Sequence, residues 1–121
     1  MTFEEYQQKA KTTAIYLDKL KSTHDLPEDI WTLLRLSYGG LGLGETGEVQ
    51  GKIKKIIRDS GGVISEEVKQ AIAKELGDIL WYVSDVSDTI GISMDKIASD
   101  NIEKLFSRKE RGVISGSGDN R

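Results

Sequence analysis

The chain has 121 residues with no cysteine, one histidine and one proline. Without cysteine there is no disulfide framework and no thiolate metal site, so a reducing, cytoplasmic location is the expectation. A lone His24 excludes hydrolases built on a histidine cluster. It also argues against di-iron bundles with Glu-x-x-His pairs, because no histidine lies near either acid pair described below. Long apolar runs are missing as well, so no membrane span is expected. Nothing after Met1 resembles a charged start followed by an apolar run, and no signal peptide is expected. Positive charge is not in excess: 17 Lys and Arg stand against 20 Asp and Glu, a net charge of −3. The basic footprint of a nucleic-acid binder is therefore absent.

What remains is an ordinary soluble balance, 37% hydrophobic and 31% charged. The length fits one domain, and such a domain can bury roughly two-thirds of its unfolded surface without staples. The apolar pattern is helical almost throughout. A first helix is expected from Thr2 to about Leu20. "STHDLPEDI" breaks it, with Asp25 or Ser22 as a cap and Pro27 near a first turn. A short apolar helix around Ile30–Leu36 follows, and Gly39, Gly40, Gly42 and Gly44 are expected to interrupt or loosen it. The next helix should run from about Leu41 to Asp59, ended by Gly61. Ser65 reads as the N-cap of a long helix continuing to about Thr89. Gly91 breaks it, Ser93 caps again, and a last helix runs from Met94 to about Lys109. The prediction is a single all-α domain over residues 1–112, a bundle of four to five helices, with a Gly/Ser-rich tail at 113–121.

Two acid pairs sit inside the most apolar stretches: Glu45 and Glu48 in "LGLGETGEVQG", Glu75 and Asp78 in "KELGDILW". A spacing of three is common on solvated helix faces and carries little alone. Position around the helix carries more. With Val49 at zero, Glu45 falls at roughly −40° and Glu48 at roughly −100°. With Val68 at zero, Glu75 falls at roughly −20° and Asp78 at roughly −80°. Each helix thus has one acid in its apolar stripe and one at the same edge. Asp88 and the Asp100/Glu103 pair project away, and Asp85 sits at the rim. Lys52, four residues after Glu48, is its expected ion-pair partner. If the two helices pack together, four carboxylates converge, and a divalent cation relieves their repulsion. Oxygen-only ligands suit Mg²⁺ or Mn²⁺. Gly44, Gly47, Gly51 and Gly77 either clear space beside the acids or allow close helix packing.

The stretches "GLGLGETGEVQGKIKKIIRD" and "KELGDILWYVSDVSDTIGISMDKIASDNIEKLFSRKERG" resemble the MazG-like nucleotide pyrophosphohydrolases, of the all-α nucleoside triphosphate pyrophosphohydrolase superfamily. The resemblance covers roughly residues 30–112. The family pattern is E-E-x-x-E, then E-x-x-D on the next long helix. Glu45 and Glu48 match the second and third acids of the first element, and Glu75 and Asp78 match the second. Gly44 stands where the first glutamate belongs, which leaves one acid role unfilled. The resemblance implies Mg²⁺-dependent hydrolysis of a nucleoside triphosphate to monophosphate and pyrophosphate, with these four acids as catalytic and metal-holding residues. It implies Asn101 and Lys104 near metal and phosphate on the last helix; Arg108, on the same rim as Lys104, is the next candidate, and Lys52 and Lys55 are weaker phosphate candidates. Trp31, Trp81 and Tyr82 offer stacking surfaces for a base, although aromatics at helical spacing ordinarily belong to the core. Family members assemble as homodimers or homotetramers. The alternatives are a relative specific for dUTP or phosphoribosyl-ATP, and a non-catalytic helical oligomer that binds a nucleotide or a protein partner.

Overall fold

A computed structural model describes residues 1–121, all helical, with no strand. Five helices of two turns or more are joined by one single-turn helix. They are α1 (Phe3–Lys11), the single turn α2 (Asp18–Lys21), α3 (Glu28–Gly42), α4 (Thr46–Asp59), α5 (Glu66–Ile90) and α6 (Met94–Glu110). A 3-10 turn, Leu43–Glu45, joins α3 to α4.

Local chemistry accounts for most boundaries. Thr2 and Glu5 form a reciprocal capping box at the start of α1. Ser65 and Ser93 accept from the backbone N–H of Val68 and Lys96 and so open α5 and α6. Gly91 closes α5 at φ +72°, a left-handed conformation that a side chain would strain. After α4, the Gly62 N–H bonds back to the Ile56 carbonyl, with Gly61 in the left-handed region.

Four expectations about helix boundaries need correction. The helix expected from about Leu41 begins instead at Thr46, and Leu41 lies in α3. The first helix does not reach Leu20: it ends at Lys11, and Thr12 and Thr13 turn their hydroxyls onto the carbonyls of Lys9 and Ala10. Neither Ser22 nor Asp25 caps α3, which Pro27 precedes with no side-chain cap. Nor do Gly39, Gly40 and Gly42 interrupt α3, which runs through all three. Gly39 and Gly42 are there for close approach. A Cβ on Gly39 would lie 2.6 Å from the Val86 side chain, and one on Gly42 would lie 2.1 Å from the Tyr82 ring.

α5 is the axis of the fold, with α1, α3 and α4 packed on it. Its most buried positions are polar and small: Ser84, Asp85 and Ser87. Gln7 ties three helices together, donating to Ser87 Oγ at 3.3 Å and accepting from the Met94 N–H at 3.0 Å. Asp85 accepts from Tyr16 Oη at 2.7 Å and faces Arg35 at 3.5 Å. Asp88, expected to project away, lies instead between Arg35 and Lys11, each at 3.0 Å. Two flanking helices, α1 and α3, supply the cations that the apolar pattern of α5 does not reveal.

The interior is small: 11 of 121 residues are buried, so a single chain leaves much apolar surface uncovered. Leu41 is 82% exposed, Ile57 72% and Leu76 53%, on α3, α4 and the first half of α5. α6 packs on α1 rather than along α5, and its Ile102, Leu105 and Phe106 also face outward. No helix is long and apolar enough to cross a membrane.

Candidate active site

Glu45 ends the 3-10 turn immediately before α4, and Glu48 lies in the first turn of that helix. Glu75 and Asp78 occupy adjacent turns in the middle of α5. Glu45 and Glu75 are half-buried, whereas Glu48 and Asp78 are exposed, as the helical projection expects. The packing of α4 and of the 3-10 turn on α5 brings the two elements together.

A cleft of about 440 Å³ is lined by Glu45 and Asp78, with Thr13, Ile15, Tyr16, Tyr38, Trp81 and Tyr82. Four aromatic rings thus stand beside two carboxylates. Tyr16 stacks on Tyr38 with centroids 3.9 Å apart and planes 9° from parallel. Trp81 meets Tyr82 edge to face at 5.2 Å, and its indole N–H donates to Thr13 Oγ1 at 2.7 Å. Burial, and then Tyr38, Glu45 and Asp78, push the Tyr82 phenol up. Burial, then the Asp78 charge, pushes Tyr6 up as well. Burial and the Asp85 hydrogen bond push Tyr16 up to about 12, against the opposing pull of Arg35.

Glu75 opens onto a second cleft of similar size, with Lys52, Glu66, Glu67, Gln70, Ala71 and Lys74. Here the expected partnership is corrected. Lys52 does not pair with Glu48 along α4; it crosses to Glu75 at 3.1 Å. The interhelical contact satisfies the more buried carboxylate, which has no suitable lysine on its own helix. Of the four matched acids, Glu45 and Asp78 therefore share one cleft and Glu75 faces another. No group of three or more Asp, Glu, His or Cys residues lies close enough to hold an ion. In donor type the acids fit a hard divalent ion, since all offer oxygen.

Gly44, Gly47, Gly51 and Gly77 border open space: a Cβ on any of them would meet nothing within 4 Å. They do not serve helix packing inside this chain. Asn101 is exposed on α6, and no α6 residue lines either cleft. Lys104 and Arg108 are engaged by the tail, at 2.9 and 3.0 Å from Asp119 Oδ1. Lys55 borders a smaller cleft near the end of α4 with Lys52 and Asp59. Trp31 lies away from the acids, buried beneath Lys21, whose ammonium is 5.5 Å from the ring. Tyr16 and Tyr38 are cleft residues that the sequence pattern did not reveal. Tyr16 comes from an irregular connector, and Tyr38 is one more apolar position on a helix rich in them.

Residues 37–113 match the family model described as the MazG nucleotide pyrophosphohydrolase domain. A curated relative, the Gene 37 protein of Mycobacterium phage L5, is 43% identical over 117 residues and covers 96% of each chain. Its name states no activity. No solved structure matches the chain. The family match includes all four acids and α6, but not Thr13, Ile15 and Tyr16, which form one wall of the aromatic cleft.

Proposed function

The chain belongs to the MazG nucleotide pyrophosphohydrolase family, and on that premise we propose that it hydrolyses a nucleoside triphosphate to the monophosphate and pyrophosphate. The observation that carries this reading is the shared cleft of Glu45 and Asp78, acids from two different elements, beside four aromatic rings. The carboxylates suit the phosphate end of a nucleotide in company with a divalent cation, and the rings suit a base. Glu45, Glu48, Glu75 and Asp78 are the residues that would hold Mg²⁺ or Mn²⁺, which when bound offsets triphosphate charge and polarises the phosphorus under attack.

This chain's own groups do the rest. Water attacks phosphorus, the α–β phosphoanhydride bond breaks, and pyrophosphate leaves with the bond's electron pair. One of the four carboxylates takes the water's proton. Lys52 neutralises Glu75 in the resting chain, and its transfer from Glu75 to a phosphate oxygen would free that carboxylate for the cation. Asn101, Lys104 and Arg108 are proposed to contact phosphate. Because α6 lies away from the acids of its own chain, they would act through a homodimer or homotetramer that brings α6 of one copy to the cleft of another. The exposed Leu41, Ile57, Leu76 and Phe106 favour such assembly. A role in clearing unwanted nucleotides from the pool is the physiological reading.

Glu75→Gln tests catalysis against structure. A catalytic, cation-holding Glu75 predicts loss of turnover and weaker Mn²⁺ binding with the helical fold intact. A purely structural Glu75 predicts lowered stability, unchanged Mn²⁺ affinity and preserved turnover.

A further inference from the structure

Residues 113–121 do not fray from the end of α6. The Arg121 side chain donates to the carbonyls of Val113, Ile114 and Gly118, and Arg111 donates to the Arg121 carbonyl. The segment is thereby tied into a closed strap against the last turns of α6. The strap sets one carboxylate, Asp119, on Lys104, which the family resemblance implies for phosphate, and on Arg108, the next candidate on the same rim of α6. A single oxygen, Asp119 Oδ1, accepts from Lys104 Nζ at 2.9 Å and from Arg108 Nη2 at 3.0 Å. Arg108 Nη2 also donates to the Asp119 carbonyl.

This arrangement leaves the cationic site underfilled. The Arg108 side chain is 7% exposed, and its Nε–H is buried with no partner. A guanidinium has five N–H donors in a fixed fork that matches an oxyanion with several oxygens better than one shared carboxylate oxygen. Asp119 is itself 75% exposed and Lys104 38%, so the pair between them is of the weakly held surface kind. Lys104, then Arg108, hold its carboxyl below the usual range, and it stays anionic at neutral pH.

We propose that Asp119 is an internal stand-in for phosphate: the strap plugs the Lys104–Arg108 site, and a di- or triphosphate displaces it. The displacing group reaches Arg108 Nε as well as Nη2 and Lys104 Nζ, which Asp119 does not. The strap then lifts from α6 or re-closes over the ligand, so the plug sets how tightly polyphosphate is held. The proposal rests on the reading of Lys104 and Arg108 as phosphate-binding residues, but not on turnover.

The test is calorimetric binding of pyrophosphate, and separately of a non-hydrolysable nucleoside triphosphate, to the full chain. Removing the competing carboxylate in Asp119→Asn should tighten pyrophosphate binding about fivefold, the scale of a surface ion pair. Lys104→Gln should weaken it. In wild type, pyrophosphate should shift the Arg108 Nε–H resonance, which has no partner in the plugged state. Tightening for pyrophosphate alone identifies the product as the displacing group, and tightening for both identifies phosphates shared with the substrate. Equal or weaker binding by Asp119→Asn, or an unmoved Arg108 resonance, overturns the plug. These readouts are separate from hydrolysis. A protein that hydrolyses nucleotides while Asp119→Asn changes nothing refutes the strap alone, and the converse refutes the enzymatic reading alone.

Discussion

Replacing Tyr16 by Phe removes one oxygen and nothing else from the wall of the aromatic cleft. The ring remains, and so does its stack on Tyr38 at 3.9 Å. What is lost is the 2.7 Å hydrogen bond to Asp85, whose side chain is 3% exposed. Arg35 then faces Asp85 alone, at a marginal 3.5 Å. A hydrogen bond to a charged group contributes about 1.5–3 kcal/mol, and a buried carboxylate that loses one stays desolvated. Tyr16→Phe should therefore cost about 2 kcal/mol, read as a lower urea midpoint at unchanged slope. For a chain of this size that is a fall in Tm of roughly 4–10 °C. Alkaline titration gives a second signature. With the folded phenol raised to about 12, its contribution is whole below the unfolded pKa near 10 and is lost as pH rises through 12. Tyr16→Phe should remove that part of the alkaline loss, and Asp85→Asn should lower the Tyr16 pKa while leaving the share due to burial. A cost below about 0.5 kcal/mol would put Tyr16 among ordinary surface positions and refute the argument.

Gly42→Ala should destabilise by about 1–3 kcal/mol through overpacking and alter near-UV circular dichroism, because its Cβ would lie 2.1 Å from the Tyr82 ring. Gly47→Ala meets open space within α4 and should stabilise the chain by about 0.5–1 kcal/mol, yet lower turnover if that space serves the phosphate end of the site. At Asp88 burial favours the neutral acid, but Arg35 and Lys11 outweigh it and hold the carboxyl below its usual range. That stabilisation is present above the unfolded pKa near 4 and is lost as pH falls through the lower folded value, so Asp88→Asn should flatten the stability profile below about pH 4.

Both later helices were legible because their signals are local. Ser65, Ser93 and Gly91 act on backbone groups within a few residues, and the apolar arc of α5 placed Glu75 inward and Asp78 at the rim as the structure has them. What was not legible depends on neighbours. The glycines of α3 read as breaks, yet Gly39 and Gly42 are required by Val86 and Tyr82, some forty residues away. Lys52 sits at helical spacing from Glu48, but the shorter path crosses to Glu75. Asp88 looked outward on a projection of α5 alone, and only the packing of α1 and α3 supplies Lys11 and Arg35. The aromatic wall draws on Thr13, Ile15 and Tyr16, a connector with no periodicity to read. Two of the four acids share a cleft in the single chain; the proposed role of Glu75 depends on Lys52 leaving it, and that of the α6 residues on a second copy.

The most direct measurement incubates the purified protein with a panel of canonical and damaged ribo- and deoxyribonucleoside triphosphates, with Mg²⁺ or with EDTA, and resolves the products. The account predicts monophosphate and pyrophosphate in equal amounts, formed only with the cation and abolished by Glu75→Gln. Diphosphate plus phosphate would show that a different bond is cut, and no turnover of any nucleotide by a protein that still binds Mg²⁺ would contradict the proposed activity outright.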